Sequence, residues 1–219
     1  MGSEERYSRQ RDIVPADRLA TCTASVIGVG AIGRQVALQL GAIGVPWLQL
    51  IDFDAVEESN LASQGYLEAD LGKPKVEATT ERCRQINESL GVDPVAQRFR
   101  RSMVVGNIVF CCVDSMAIRT VIWNAVKDAV SFFCDGRMSA EVLRVLTGCD
   151  AASREHYPST LFGSADAYQG SCTAKTTIYC ANIAAGMMLC QFTKYLRSFP
   201  VDPDIQLNLL TSELSVACP

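Results

Sequence analysis

Residues 27–35 read IGVGAIGRQ, and this short stretch decides how the rest of the chain is arranged. Gly28, Gly30 and Gly33 hold the G-x-G-x-x-G spacing, at which a strand turns tightly into a helix and backbone N–H groups can approach a phosphate closely. The residues leading in, TASVIGV, form an apolar run, and those leading out, AIGRQVALQLGAIGV, are apolar at the helical period. Strand, turn and helix follow in that order. The pattern alone suits NAD, FAD, ATP or simple helix–sheet packing.

Working outward, WLQLIDFD reads as a second strand directly after the crossover helix. A right-handed βαβ unit then brings the carboxyl ends of both strands, with the three glycines, Asp52 and Asp54, to one sheet edge. KPKVEATTERCRQIN reads as a helix with Pro74 near its first turn. NIVFCCVD is a buried strand ending in Asp114, MAIRTVIWNAVKDA a helix and SFFCDG another strand, while the alternation in EVLRVLTG suggests an antiparallel strand. Residues 151–171 read as the longest irregular stretch. A long helix over about 176–197 and one closing strand, DIQLNLLTSEL, complete the chain. The expected fold is one α/β domain over residues 1–219, doubly wound and Rossmann-like. Its sheet is mostly parallel, with antiparallel strands in the C-terminal part, an N-terminal arm over 1–20 and a crossover loop over 151–175.

With 48% hydrophobic and 20% charged residues and a formal charge of -4, the 219 residues have the composition of a soluble globular protein. No basic excess points to nucleic acid. MGSEERYSRQ lacks an apolar signal region, which places the expected location in the cytoplasm. The longest apolar stretch, IYCANIAAGMMLCQF, carries Asn182 and Gln191 and suits a buried helix better than a membrane span. The ten cysteines read as reduced thiols, most of them in the core. Cys111 and Cys112 lie on a strand whose alternation sends them to opposite faces. There is no C-x-x-C pair, so no zinc is expected. His156 is the only histidine, and any Ser-His-Asp or Cys-His catalysis would depend on it. A solvated loop position is its simplest reading.

An acid at the end of the second strand is where a ribose hydroxyl binds, and Asp52 and Asp54 both qualify. DFDAVEESNL, GKPKVEA and Asp114 add a lysine and further carboxylates around the same crevice. A lysine supplies a point charge for phosphate oxygens, and a carboxylate can hold Mg²⁺ against them, as nucleotidyl transfer requires. This set favours ATP. An NAD-binding oxidoreductase, for which the loop and Asp52 suffice, is the alternative.

The leader RYSRQ, the loop GVGAIG, the run IDFDAVEESNL, the segment GKPKVEA, CVDSMAIRTVIWNA and, more loosely, GSCTAKTTIYCANIAAG together resemble the ThiF/MoeB/HesA family of ubiquitin-activating-enzyme-like adenylyltransferases. The resemblance implies that Asp52 holds the ribose, that Asn60 and Lys75 line the ATP phosphates, and that Asp114 binds Mg²⁺. It implies that Arg9 acts as an arginine finger across a homodimer. The implied reaction is attack by the C-terminal carboxylate of a small ubiquitin-like or sulfur-carrier protein on the α-phosphate of ATP. Cys172, near Lys175, falls where relatives carry a cysteine that can take up the acyl group as a thioester. One departure is SNLASQ: Ser63 stands where the family usually has an arginine. Arg34 and Arg137 are the candidates to supply the missing contact, and a scaffolding relative without catalysis is the alternative this substitution raises. Asp114 is also placed to cap the helix that follows.

Overall fold

A computed structural model describes residues 5–163 and 176–217. Eight strands form one sheet in the order β3-β2-β1-β4-β5-β6-β7-β8. They are β1 (Thr23–Ile27), β2 (Trp47–Ile51), β3 (Gly91–Val95), β4 (Ile108–Cys111), β5 (Phe132–Ser139), β6 (Val142–Gly148), β7 (Asp204–Asn208) and β8 (Glu213–Ala217). The pairs from β3 through β5 are parallel and those from β5 through β8 antiparallel. The expected doubly wound sheet with an antiparallel C-terminal part is what forms.

Beyond a four-residue helix at Ala16–Leu19, the helices are α1 (Ala31–Ile43), α2 (Glu58–Gln64), α3 (Lys75–Ile86), α4 (Met116–Val126), α5 (Ala151–His156) and α6 (Ile178–Leu196). Because strand side chains alternate, each central strand feeds two cores. Val26, Phe110, Phe132 and Cys134 pack on one face with residues of α1, α3 and α6; Ile27, Val109, Cys111 and Phe133 pack on the other with α4 and Tyr157. Cys111 and Cys112 do fall on opposite faces. In the second core the Trp123 ring lies 5.0 Å from Phe133 and 4.6 Å from Tyr157.

Four differences from the sequence reading have physical causes. Strand β3 contains Pro94 and was not anticipated; it survives because it is an edge strand, where a missing N–H breaks no ladder. Residues 151–160 are not irregular. Asp150 caps α5 by accepting from Ser153 N at 2.8 Å, and a 3-10 turn over Tyr157–Thr160 follows, with Tyr157 fully buried. The single closing strand is instead the hairpin of β7 and β8, turned at Ser212 with φ 55°. His156 is no solvated loop residue: it ends α5, and its Nε2 lies 3.1 Å from Asp204 Oδ2, which also accepts from Arg144. The second core depends on its aromatic cluster. Trp123→Ala should cost about 3–5 kcal/mol, read as a lowered urea midpoint with the unfolding slope unchanged.

Candidate nucleotide site

The site is built where strand order reverses, between β1 and β4. Gly28 N donates to Ile51 O at 2.9 Å and Cys112 N to Ile27 O at 2.8 Å, so the loop hangs between three strand ends. Gly28 has φ 86°, and a Cβ there would stand 2.8 Å from Cys112 O. A Cβ on Gly33 would run into the Gly28 carbonyl oxygen. Both glycines are therefore demanded by packing. Gly30 is different: among the described residues beyond its chain neighbours, only Gln64 Oε1, at 3.9 Å, comes near the position of its absent Cβ. This glycine leaves open space at the N-terminus of a 13-residue helix, whose unpaired N–H groups favour an anion.

Asp52 ties the loop to β2. Its Oδ2 accepts from Val29 N at 2.6 Å and its Oδ1 from Asp54 N at 2.9 Å. Each oxygen keeps acceptor capacity for a ribose hydroxyl. Lys75 opens α3 with its side chain 8% exposed, and its Nζ lies 3.2 Å from Asp54 Oδ2. The backbone reinforces that pair, since Lys75 N donates to Asp54 O and Ala55 bridges Pro74. Asp54 thus serves Lys75 first. Asn60 completes a capping box in α2, its Oδ1 accepting from Glu57 N at 3.0 Å. Asp114 is exposed, just beyond β4 at the same edge. The cap of α4 is Ser115, whose Oγ accepts from Ile118 N, so the expected capping role of Asp114 does not hold.

Neither candidate for the missing arginine reaches the crevice. Arg34, 2% exposed, donates to Gly65 O at 3.2 and 3.0 Å and to Thr79 Oγ1 at 3.2 Å, with its guanidinium carbon 4.1 Å from the centre of the Tyr66 ring. It forms no ion pair among the described residues, and burial holds it below the ordinary guanidinium value. Tyr66 completes this cluster, donating to Val29 O at 2.7 Å, and burial pushes its hydroxyl up. Arg137 is held by Asp135 at 2.7 Å and by Thr160, and Arg119 binds the other oxygen of Asp135 at 2.9 Å. Ser63 donates back to Ser59 O in its own helix.

Arg9 lies on an exposed 3-10 turn, Ser8–Gln10, at the far end of α1. Gln10 Nε2 donates to Ile43 O at 2.7 Å, and the Tyr7 ring packs on Gly44. The length of α1, about 20 Å at 1.5 Å per residue, separates this turn from the chain's own glycine loop. Cys172 and Lys175 lie outside the described residues, as does the part of the expected crossover loop from 164 to 175.

Sequence reasoning placed Asn60 and Ser63 at the site but missed Gln64, Tyr66 and the helical form of the segment that carries Asn60, Ser63 and Gln64. The capping box Glu57-x-x-Asn60 was the signal for the helix.

A family model described as ThiF family matches residues 7–212. The chain belongs to the ThiF family. It is 32% identical over 125 residues to the molybdopterin-synthase adenylyltransferase of Salmonella typhimurium, covering 52% of this chain and 50% of that protein. It is 35% identical over 106 residues to the SAMP-activating enzyme E1 of Haloferax volcanii, covering 46% and 39%. The chain spans half or less of the length of these curated relatives. The fold matches Escherichia coli MccB in its complex with MccA-N7isoASN, with a TM-score of 0.82 at 19% identity over 99% of this chain and 72% of that one. PaaA superposes with a TM-score of 0.80 at 21% identity, over 99% and 74%.

The glycines make separable predictions. Gly33→Ala should destabilise the fold by about 1–3 kcal/mol through overpacking. Gly30→Ala, at a helix N-cap, should cost less than about 1 kcal/mol while weakening nucleotide binding; paired thermal melts and calorimetric titrations check both. Burial pushes the Cys83 and Cys111 thiols up to about 12 and raises Cys112 and Cys134 as well, whereas Cys190 is exposed. Iodoacetamide at pH 8 should modify Cys190 before these four, as read by peptide mass spectrometry.

Proposed function

We propose that this chain binds ATP with Mg²⁺ at the β1–β2–β4 edge and adenylates the C-terminal carboxylate of a small ubiquitin-like or sulfur-carrier protein. The observation that carries this reading is the open position at Gly30 at the same sheet edge as Lys75, which is nearly buried yet paired with the half-exposed carboxylate of Asp54. An open helix N-terminus and a cation at one sheet edge support phosphate binding there. Asp52 takes the ribose, and the N–H groups that open α1 take the phosphates with Lys75 and Asn60. Asp114 is a single exposed carboxylate, which suits Mg²⁺, an ion held by one or two carboxylates together with phosphate oxygens. When bound, the ion neutralises charge on the phosphates.

The substrate carboxylate attacks the α-phosphorus, the bond to the bridging oxygen breaks, and pyrophosphate leaves. A carboxylate needs no general base, so the protein contributes positioning and charge. Arg9 serves this step from a second copy of the chain in a homodimer, because its own site lies a helix length away. The acyl-adenylate then passes its acyl group to a thiol, with AMP leaving, and Cys172 is the proposed acceptor. Relatives named for activating molybdopterin synthase, the ThiS sulfur carrier and SAMP support this partner class.

ATP–pyrophosphate exchange with the carrier protein tests the reading. Lys75→Ala and Asp114→Ala should each lower it about 10²–10³-fold. ATP at about 100 times its Kd should add about 2.7 kcal/mol of stability, while NAD adds none. Arg9→Ala and Lys75→Ala should each be strongly impaired alone and regain exchange on mixing, since one site of the mixed dimer carries neither lesion. A non-catalytic scaffold is the second reading, favoured by Ser63 and by the sequestered Arg34 and Arg137; it predicts ATP binding with no exchange at all.

A further inference from the structure

Among the described residues, one buried side-chain atom has no hydrogen-bond partner: Gln64 Oε1. Among the described residues, and apart from Gly30's own chain neighbours, it is also the one heavy atom within 4 Å of the position that a Cβ on Gly30 would occupy. Leaving a buried amide oxygen without a donor is unfavourable, and such an atom marks a group that a ligand completes. The placement is enforced from below. Gln35 Nε2 donates to the Gln64 carbonyl at 3.2 Å, and Arg34 donates twice to the next carbonyl, Gly65 O. Gly65, with φ 74°, ends α2 in the left-handed conformation. Both gripping side chains belong to α1, whose first turn is the glycine loop. Loop and amide are thereby fixed to one another.

A glutamine end group offers an acceptor and a donor that exchange places on a half-turn of its last torsion, and the bound partner decides which faces it. We infer that Gln64 contacts the nucleotide phosphates: with Nε2 turned toward Gly30, it donates to a phosphoryl oxygen lying over the glycine loop. This inference rests on the proposed binding of ATP there. Ser63 cannot make the contact, because its hydroxyl is committed to Ser59 O. Arg34 cannot make it either, because its guanidinium faces Gly65, Thr79 and Tyr66. Its buried and unpaired charge, anchored one helical turn beyond Gly30, instead raises the potential that attracts the anion.

The test is calorimetric titration of the full chain and its variants with ATP, AMP and adenosine in the presence of Mg²⁺. Gln64→Ala should weaken ATP about tenfold or more, the range for a hydrogen bond to a charged group. Gln64→Glu, nearly isosteric but turning a carboxylate toward the phosphates, should weaken it further, by about a hundredfold. Adenosine, which has no phosphate, should bind both variants within about twofold of the wild-type chain. Adding Ser63→Arg to Gln64→Ala should restore ATP affinity. Equal losses for ATP and adenosine would reduce Gln64 to a structural residue, and unchanged ATP affinity in Gln64→Glu would overturn the contact. A wild-type chain that binds neither AMP nor ATP would instead remove the nucleotide reading on which the inference stands.

Discussion

The closest constraint among the described residues is the approach of backbone to backbone at the end of β1. Gly33 sits directly against the Gly28 carbonyl, and Gly28 against Cys112 O, with no room for a methyl group at either position. That contact lets α1 begin on the sheet itself rather than above it. As a result, its free N–H groups, the end of β2 with Asp52 and the end of β4 before Asp114 all open onto one crevice. A bulkier turn would lift the helix and separate these groups. The chemistry follows from the packing.

A second layer of the site consists of polar side chains that support it without entering it. Arg34, Gln35, Tyr66 and Thr79 form a buried network that holds the C-terminal end of α2 against α1. An arginine with no carboxylate partner is an expensive thing to bury, because desolvation is only partly offset by hydrogen bonds to neutral acceptors. On the opposite face, Asp135 carries two guanidiniums and the Tyr157 hydroxyl, so that core too holds more cations than anions. Both clusters sit beneath the edge where a polyanion is proposed to bind, and their surplus charge acts in its favour.

Much of the fold was legible because its signals are local. The continuous apolar runs of β1, β4 and β5, the helical period of α1 and the glycine spacing each declare themselves within about a dozen residues. Strand β3 was illegible because a proline at an edge looks like a proline in a loop until the neighbouring strand is known. The order within 151–160 was hidden for a related reason: Tyr157 is an ordinary polar-segment tyrosine until Trp123 and Phe133 surround it. At the site, the residue types around Lys75, Asp52 and Asp114 could be read, but the direction of the arginines could not. Arg34 and Arg137 have the right charge and sequence position, and only the packed structure reveals that Arg34 is spent on an interior carbonyl and a hydroxyl, and Arg137 on a carboxylate, a carbonyl and a hydroxyl.

The attachment of the N-terminal turn has a consequence for local dynamics. Tyr7 rests on Gly44, where φ is 96° and a Cβ would stand 2.8 Å from the ring, and its hydroxyl accepts from Asn87 at 3.3 Å. Apart from Gln10 on Ile43 O, little else in the turn is buried. Such a segment opens at a small fraction of the global unfolding free energy, whereas the amides of α1 that it rests against are released only with the core. The boundary between a fast-exchanging and a slow-exchanging region therefore falls between Gln10 and Ile43. Glycine at position 44 is what allows the Tyr7 ring to seat on the end of α1.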